Sequence, residues 1–181
     1  IHTIDLNFQG TDHTIASFLV ETSEGPALVE TGPYSTYDQL SAGLKKHGYE
    51  PSDVGHVFLT HIHLDHAGAA WALAREGATV HVHPFGYKHL HDPSKLMASA
   101  RRIYEDMMDQ LWGDMQAIPE KRLHRAEHEE EVTIGDTVFK AWYTPGHAVH
   151  HIAWQVGDQL FTGDVAGVRI EDHIVAPPCP P

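Results

Sequence analysis

The sequence predicts an α/β layered fold that forms a single domain over residues 1–181. Apolar runs typical of strands alternate with amphipathic helical segments through the first half of the chain. Side chains that can bind metal ions follow three of the predicted strands, at the sheet edge where α/β folds build their sites. A composition of 41% hydrophobic and 20% charged residues is sufficient for an ordinary buried core.

The first half of the chain predicts several strands and two helices. Apolar runs bounded by Gly-Pro pairs indicate strands at residues 15–20 and 27–29. Residues 34–47 carry apolar side chains at helical spacing, and Gly48 ends the predicted helix. The remaining elements of this half are a buried strand at 54–59, an Ala-rich helix at 65–75 and a strand at 79–83.

The segment 84–119 interrupts this alternation and is predicted to be a helical insertion. Within it, residues 95–115 form one long helical pattern with Ala100, Ile103 and Tyr104 on its apolar stripe. Such a helix suits core packing, a lid over a site or a contact in a homodimer. Strands are then expected again, at 131–134, 137–144, 151–156, 159–162 and 172–175.

The charge balance limits the partners of the chain. A formal net charge of −13, from 25 acidic and 12 basic residues, argues against nucleic acid or an anionic membrane surface. No apolar run is long enough to span a bilayer, and no signal-peptide pattern is present. The single cysteine, Cys179, excludes an intrachain disulfide and favours a reduced, cytoplasmic setting. A small-molecule substrate is therefore the expected partner.

Four metal-competent side chains occur within six residues, directly after the apolar run 57–59. His61 and His63 are two positions apart, so their side chains point to the same side of an extended segment. Asp65 and His66 follow where the chain turns into the predicted helix. Imidazole and carboxylate ligands suit zinc, iron or manganese.

Two later pieces supply the same ligand types after predicted strands. Gly146-His147 follows the strand at 137–144, and Gly163-Asp164 follows the strand at 159–162. The glycines let the backbone approach closely. All six side chains are therefore expected to converge on one metal site.

These motifs together resemble the metallo-β-lactamase superfamily, over essentially the whole chain. The run Glu30-Thr31-Gly32 is similar to the Asp-Thr-Gly that ends an early strand in that family. The resemblance implies a four-layer αβ/βα sandwich with the site at one edge. It also implies a binuclear centre, with His61, His63 and His147 on the first metal, Asp65 and His66 on the second, and Asp164 bridging both.

One ligand of the binuclear family members has no counterpart here. They carry a further late histidine on the second metal, and His173 is too close to Asp164 to fit that place. The chain also lacks an initiator methionine and stops at a proline-rich run, residues 176–181. We therefore expect an excerpt of a longer protein whose closing strand and helices are missing, and a second metal that is weakly held.

The expected activity is metal-dependent hydrolysis. Hydroxide held by one or two divalent ions, zinc foremost, would attack the carbonyl of an ester, thioester, lactone or amide. Asp65 is expected to orient this nucleophile and to take its proton. The alternative is an iron-dependent oxidoreductase similar to the sulfur dioxygenases, which keep these residues. A binding protein with a vestigial site is disfavoured, because six ligand types are intact.

Three further residues are candidates for supporting roles. Glu30 is expected to hydrogen-bond a ligand histidine or the backbone of the motif. His151 and Tyr104 are candidates for contact with substrate or with the ligands. Other histidines are assigned to the surface or to packing, namely His81 and His83 on a strand and His89 and His91 in a polar loop.

Overall fold

A computed structural model describes residues 1–170 and 174–176, and it builds two sheets that face one another. The first sheet has six strands in chain order, and the second has four in the order β10-β9-β8-β7. The strands of the first sheet are β1 (His2–Asp5), β2 (Ala16–Thr22), β3 (Gly25–Val29), β4 (His56–Phe58), β5 (Thr79–Val82) and β6 (Leu123–Arg125). Those of the second are β7 (Glu131–Ile134), β8 (Thr137–Tyr143), β9 (Ile152–Val156) and β10 (Gln159–Phe161).

The first sheet changes direction along its width. Strands β1 to β3 are antiparallel neighbours, whereas β3 to β6 run parallel. The parallel strands are short and most of their residues are buried, as expected of strands covered on both faces. The second sheet is an antiparallel meander, and a separate pair joins β11 (Val168–Ile170) to β12 (Ile174–Ala176).

Six α-helices lie between the strands in the described part of the chain. They are α1 (Tyr37–Lys46), α2 (Leu64–Ala67), α3 (Ala70–Glu76), α4 (Pro84–His91), α5 (Ser94–Tyr104) and α6 (Met108–Leu111). Their buried side chains join one face of the first sheet in a single apolar cluster. None of the helices in the described part of the chain is long and apolar enough to cross a membrane.

Alternate residues of the central strands belong to two separate hydrophobic cores. Leu28 and Val57 point into the helix-covered cluster, whereas Val29 and Phe58 point between the sheets. There Phe58 stacks on Phe139 of the second sheet, with ring centroids 3.9 Å apart. The described residues thus supply three layers of the expected sandwich, and the predicted α/β class is confirmed.

The predicted long helix at 95–115 is wrong. The chain leaves α5 at Glu105, whose φ of 46° and ψ of −123° are incompatible with a helix, and then forms a short turn before α6. The apolar period continues across this break, so periodicity alone gives no sign of it. The prediction that His89 and His91 lie in a polar loop is also wrong, because both residues lie on α4. This helix begins at Pro84, and the His83 side chain caps it by accepting a hydrogen bond from the Phe85 N–H.

The predicted helix at 65–75 is two helices. A β-carbon on Gly68, between α2 and α3, would lie 2.5 Å from the Leu64 carbonyl oxygen and 2.8 Å from Pro33 Cα. This close approach brings the motif against the loop that follows β3. Strand β6 was not predicted, since its three residues are identified only by pairing with β5. His173, the start of the strand expected at 172–175, and Cys179 lie outside the described residues.

Candidate metal centre

The predicted ligands lie at one edge of the two sheets, on the loops that follow β4 and β8, on α2 and on the 3-10 turn after β10. Residues 60–63 leave β4 and lead into α2, while the loop between β8 and β9 carries His147. The two sheets are joined at this edge, because Trp154 Nε1 donates to the Leu59 carbonyl and the Ile152 N–H donates to the Thr60 carbonyl. The packing of the sheets therefore sets the distance between the first motif and His147.

Three histidine nitrogens converge on one point. His61 Nε2 and His147 Nε2 each lie 2.9 Å from His63 Nδ1. His61 is fully buried, and its other nitrogen, Nδ1, lies 3.0 Å from Thr60 Oγ1. Burial lowers the pKa of both His61 and His63, so these rings are neutral and keep lone pairs for a cation.

A second group forms around His66. Its Nε2 lies 3.2 Å from Asp65 Oδ2 and 3.2 Å from Asp164 Oδ1, and its Nδ1 lies 3.1 Å from Glu30 Oε2. Burial favours the neutral ring, yet the neighbouring carboxylates of Glu30, Asp164 and Asp65 raise the pKa of His66 well above its usual value. The concentration of negative charge here favours a cation in place of the proton.

Asp164 lies between the two groups. Its Oδ1 contacts His66, and its Oδ2 lies 3.5 Å from His147 Nε2. The contact with His66 lowers the pKa of the Asp164 carboxyl, which is therefore ionised. This placement is the one that the family resemblance implies for a bridging ligand.

Gly163 and His151 hold Asp164 in position. Gly163 has a φ of 47°, and a β-carbon there would lie 2.5 Å from Thr60 Oγ1 and 2.6 Å from His151 Nε2. The Asp164 N–H donates to Nε2 of the buried His151, so Nδ1 of that ring carries the proton and donates to Thr144 Oγ1 at 2.9 Å. Burial lowers the pKa of His151 to about 4, which keeps the ring neutral in this role.

Glu30 connects the end of β3 to the motif. It is 4% exposed, and its Oε1 accepts the Thr60 N–H at 2.9 Å while its Oε2 contacts His66. Its φ of 65° is unusual for a residue other than glycine, and the Ser17 hydroxyl donates to its carbonyl. The position therefore carries backbone strain that these contacts offset.

Tyr104 lies beside the centre without being part of it. With His63 and Asp65 it borders a cavity of about 330 Å³, and its ring packs edge-to-face on Trp112 with centroids 5.2 Å apart. Sequence reasoning missed Trp112 at this cavity and Thr60 and Thr144 as supports for the histidines. Thr60 directly precedes the motif, which is the only local signal for its role.

The donor set fits a divalent metal ion. Among the described residues there are two triplets of side chains, and within each triplet the donor atoms lie within 4.8 Å of one another. One consists of His61, His63 and His147, and the other of His61, His66 and Asp164. Neutral imidazole nitrogens and ionised carboxylates are the ligands that zinc takes in proteins. His61 belongs to both triplets, whereas the resemblance assigns it to the first metal alone. Asp65 reaches the second group through its contact with His66.

Comparison with known proteins identifies the family of the chain. A profile of the metallo-beta-lactamase superfamily matches residues 10–180. The metallo-beta-lactamase fold-containing protein ST1585 of Sulfurisphaera tokodaii is 34% identical over 130 residues, which cover 70% of this chain and 49% of that protein. The crystal structure of ST1585, an archaeal member of the superfamily, aligns with a TM-score of 0.74 at 25% identity, covering 97% of this chain and 67% of that one.

Two further relatives carry names that describe a reaction. An N-acyl homoserine lactonase of Bacillus thuringiensis is 27% identical over 187 residues, covering 87% of this chain and 66% of that protein. The thioesterase pkgB of Emericella nidulans is 29% identical over 161 residues, covering 88% of this chain and 36% of that protein. The chain thus spans between about a third and two thirds of the length of these curated relatives. It belongs to the metallo-β-lactamase superfamily.

Proposed function

We propose that the chain forms the metal centre of a hydrolase that cleaves a carbonyl ester, thioester, lactone or amide of a small molecule. The observation that supports this most directly is the position of Asp164, whose two carboxylate oxygens face His66 and His147 at 3.2 and 3.5 Å. A single carboxylate shared between two donor groups is suited to a pair of cations.

Six side chains would hold the metal ions. His61, His63 and His147 form one set, Asp65 and His66 contribute to a second, and Asp164 is shared. Zinc is the leading candidate for both places because the ligands are imidazole and carboxylate. When bound, such an ion polarises a carbonyl group and lowers the pKa of water towards neutrality.

Asp65 is the proposed proton acceptor. Burial opposes its ionisation, but the contact with His66 outweighs this and lowers the pKa of the Asp65 carboxyl. Asp65 borders two cavities, one together with His63 and one together with His66 and Asp164. From there it can orient a water molecule and accept its proton. Water then adds hydroxyl to the acyl carbon as the acyl–oxygen, acyl–sulfur or acyl–nitrogen bond breaks, and the proton passes to the leaving group.

The names of two relatives support the substrate class. A lactonase and a thioesterase both act on an acyl carbon attached to oxygen or sulfur. The carboxylates of Glu30, Asp65 and Asp164 leave little positive charge for a highly charged anion even with two ions bound. Neutral carbonyl compounds are therefore preferred to substrates with several negative charges.

The test is a substrate panel with defined metal. Purified full-length protein loaded with zinc, manganese or iron is assayed on lactones, thioesters, phosphodiesters and β-lactams. We expect turnover of lactones or thioesters, and we expect Asp164→Ala to abolish it. His13→Ala should leave turnover unchanged, because the His13 side chain is 93% exposed. A single bound iron with oxygen consumption on persulfides, and no hydrolysis, would replace this proposal with the dioxygenase reaction.

A further inference from the structure

One face of α5 forms a wall beside the metal ligands. Leu96, Ser99, Ala100, Ile103 and Tyr104 recur at the spacing of a single helix face, and all of them border the cavity of about 330 Å³. Its opposite wall includes His63 and Asp65. The cavity is therefore continuous with the candidate centre, and its size is at the lower end for small-molecule pockets.

Away from the ligands this cavity is mostly apolar, and Ser99 and Tyr104 contribute its hydroxyl groups. Ile103 is 70% exposed, a large apolar side chain left in solvent at the cavity wall. Among the described residues that border the cavity there is no lysine or arginine, and Asp65 is the only acid. Arg101 lies on the same helix but is paired with Asp109 at 3.2 Å. Away from the metal ligands, an anionic group in the cavity would meet neither lysine nor arginine among the described lining residues.

Asp65 also borders a second cavity of about 720 Å³, together with Glu30, His66 and Asp164. This cavity combines three carboxylates with the apolar side chains of Phe18, Leu160 and Phe161, so the two cavities differ mainly in their acidic charge. A substrate whose carbonyl lies at Asp65 can therefore place an uncharged apolar part against α5, in the less acidic of the two cavities.

We propose that the cavity between α5 and the His63–Asp65 segment binds an uncharged apolar acyl or aryl group of the substrate, and that Ser99 and Ile103 determine its preferred size and charge. This inference rests on the proposed function for the reaction but makes its own claim about the substrate. Each methylene group that enters the cavity is expected to raise kcat/KM about fourfold, the equivalent of about 0.8 kcal/mol of burial.

The experiment compares a homologous series of acyl thioesters on zinc-loaded, full-length protein. We expect kcat/KM to rise from acetyl to butanoyl to hexanoyl and then to level off. Ser99→Phe fills the cavity from a half-buried helix position, so the ratio of kcat/KM for hexanoyl to that for acetyl should fall towards one. Ile103→Lys should reduce hexanoyl turnover and raise that of the acyl chain bearing a terminal carboxylate.

Val138→Lys is the matched control, because Val138 is an exposed apolar residue of the second sheet that borders none of these cavities. It should leave both substrates unaffected. Binding is measured separately by calorimetry with hexanamide and acetamide, so that the site is tested even without turnover.

The outcomes separate the two proposals. Equal kcat/KM for acetyl and hexanoyl thioesters would overturn the apolar subsite while leaving hydrolysis intact. No turnover of any carbonyl substrate, with hexanamide bound more tightly than acetamide and weakened by Ser99→Phe, would overturn the hydrolase and support the subsite. No turnover and no preference for hexanamide would overturn both.

Discussion

Oε2 of Glu30 lies 3.1 Å from Nδ1 of His66, although the two residues are 36 positions apart in the chain. The contact joins the end of β3 to the start of α2 and turns the other nitrogen of His66 towards Asp65 and Asp164. A carboxylate behind a ligand histidine sets the orientation of its ring and raises its basicity. The second donor group therefore depends on a residue that would not itself touch the metal.

Replacing Glu30 should weaken the second metal more than the first. We expect Glu30→Gln to reduce the affinity for the second ion by about 10–100-fold, because His66 loses its carboxylate partner. A stepwise metal titration, monitored by calorimetry, measures the affinity for each of the two ions. Glu129→Gln is the control. Like Glu30, Glu129 has a positive φ, of 63°, but it is exposed and lies on a turn. Equal loss at both ions would show that Glu30 acts on the whole motif and not through His66.

Gly163 should tolerate no side chain. At Gly157, φ is 57° and nothing lies within 4 Å of the position that an added methyl group would take, so Gly157→Ala adds only backbone strain of about 1–2 kcal/mol. At Gly163, φ is 47° and the methyl group would collide with Thr60 and His151. Gly163→Ala should cost about 1–3 kcal/mol more and also displace Asp164. Urea unfolding and metal titration of both variants test this, and equal stabilities would contradict it.

His81 should make the protein less stable in acid. The ring is buried on β5, with Nε2 3.0 Å from His56 Nδ1 and its centroid 5.0 Å from that of His124, which contacts Glu130. Burial, with His124 and His56 nearby, holds the pKa of His81 well below its ordinary 6.5. As the pH decreases below about 6.5, His81 therefore binds a proton in the unfolded chain but stays neutral in the folded protein. Its burial costs no stability above about pH 6.5, and the free energy of unfolding falls as the pH decreases below that value.

The variant His81→Phe should remove this dependence, since a phenyl ring keeps the stacking on Phe58. The free energy of unfolding is measured at several pH values between about 5 and 7.5. As the pH decreases, it should fall less steeply in the variant than in the unmodified protein, and the two slopes should differ by at most about 1.4 kcal/mol per pH unit. His13→Ala serves as the comparison and should keep the original slope. Parallel slopes for His81→Phe and the unmodified protein would rule out His81 as the source.

Metal removal should destabilise the fold. Without a cation, the carboxylates of Asp65 and Asp164 converge on His66 with no divalent charge to balance them. A ligand at about 100 times its dissociation constant contributes about 2.7 kcal/mol, so a chelator should lower the melting temperature measurably. His63→Ala, which removes the nitrogen shared by both 2.9 Å contacts, should reduce the shift in melting temperature that the chelator causes, because the donors around His66 remain. An unchanged response in that variant would exclude the histidine triplet as the binding site.

The sequence by itself determined which residue types could form the centre. His61, His63, Asp65 and His66 lie directly after an apolar strand, and His147 and Asp164 each follow a strand and a glycine. Strand ends of an α/β sheet meet at one edge, so the position of the ligands could be predicted from local patterns. The alternation of strands and helices was predictable for the same reason, because each element shows its own period.

Only the tertiary structure decided how the ligands are supported and what surrounds them. The contacts of Glu30 with His66, of His151 with Asp164 and of His63 with His147 span 36, 13 and 84 positions, and no local period encodes such pairings. The break at Glu105 likewise preserves the apolar pattern while turning the chain. Periodicity reports which face of an element is buried, whereas the partner that covers it, and the cavity left beside it, follow from packing across the whole fold.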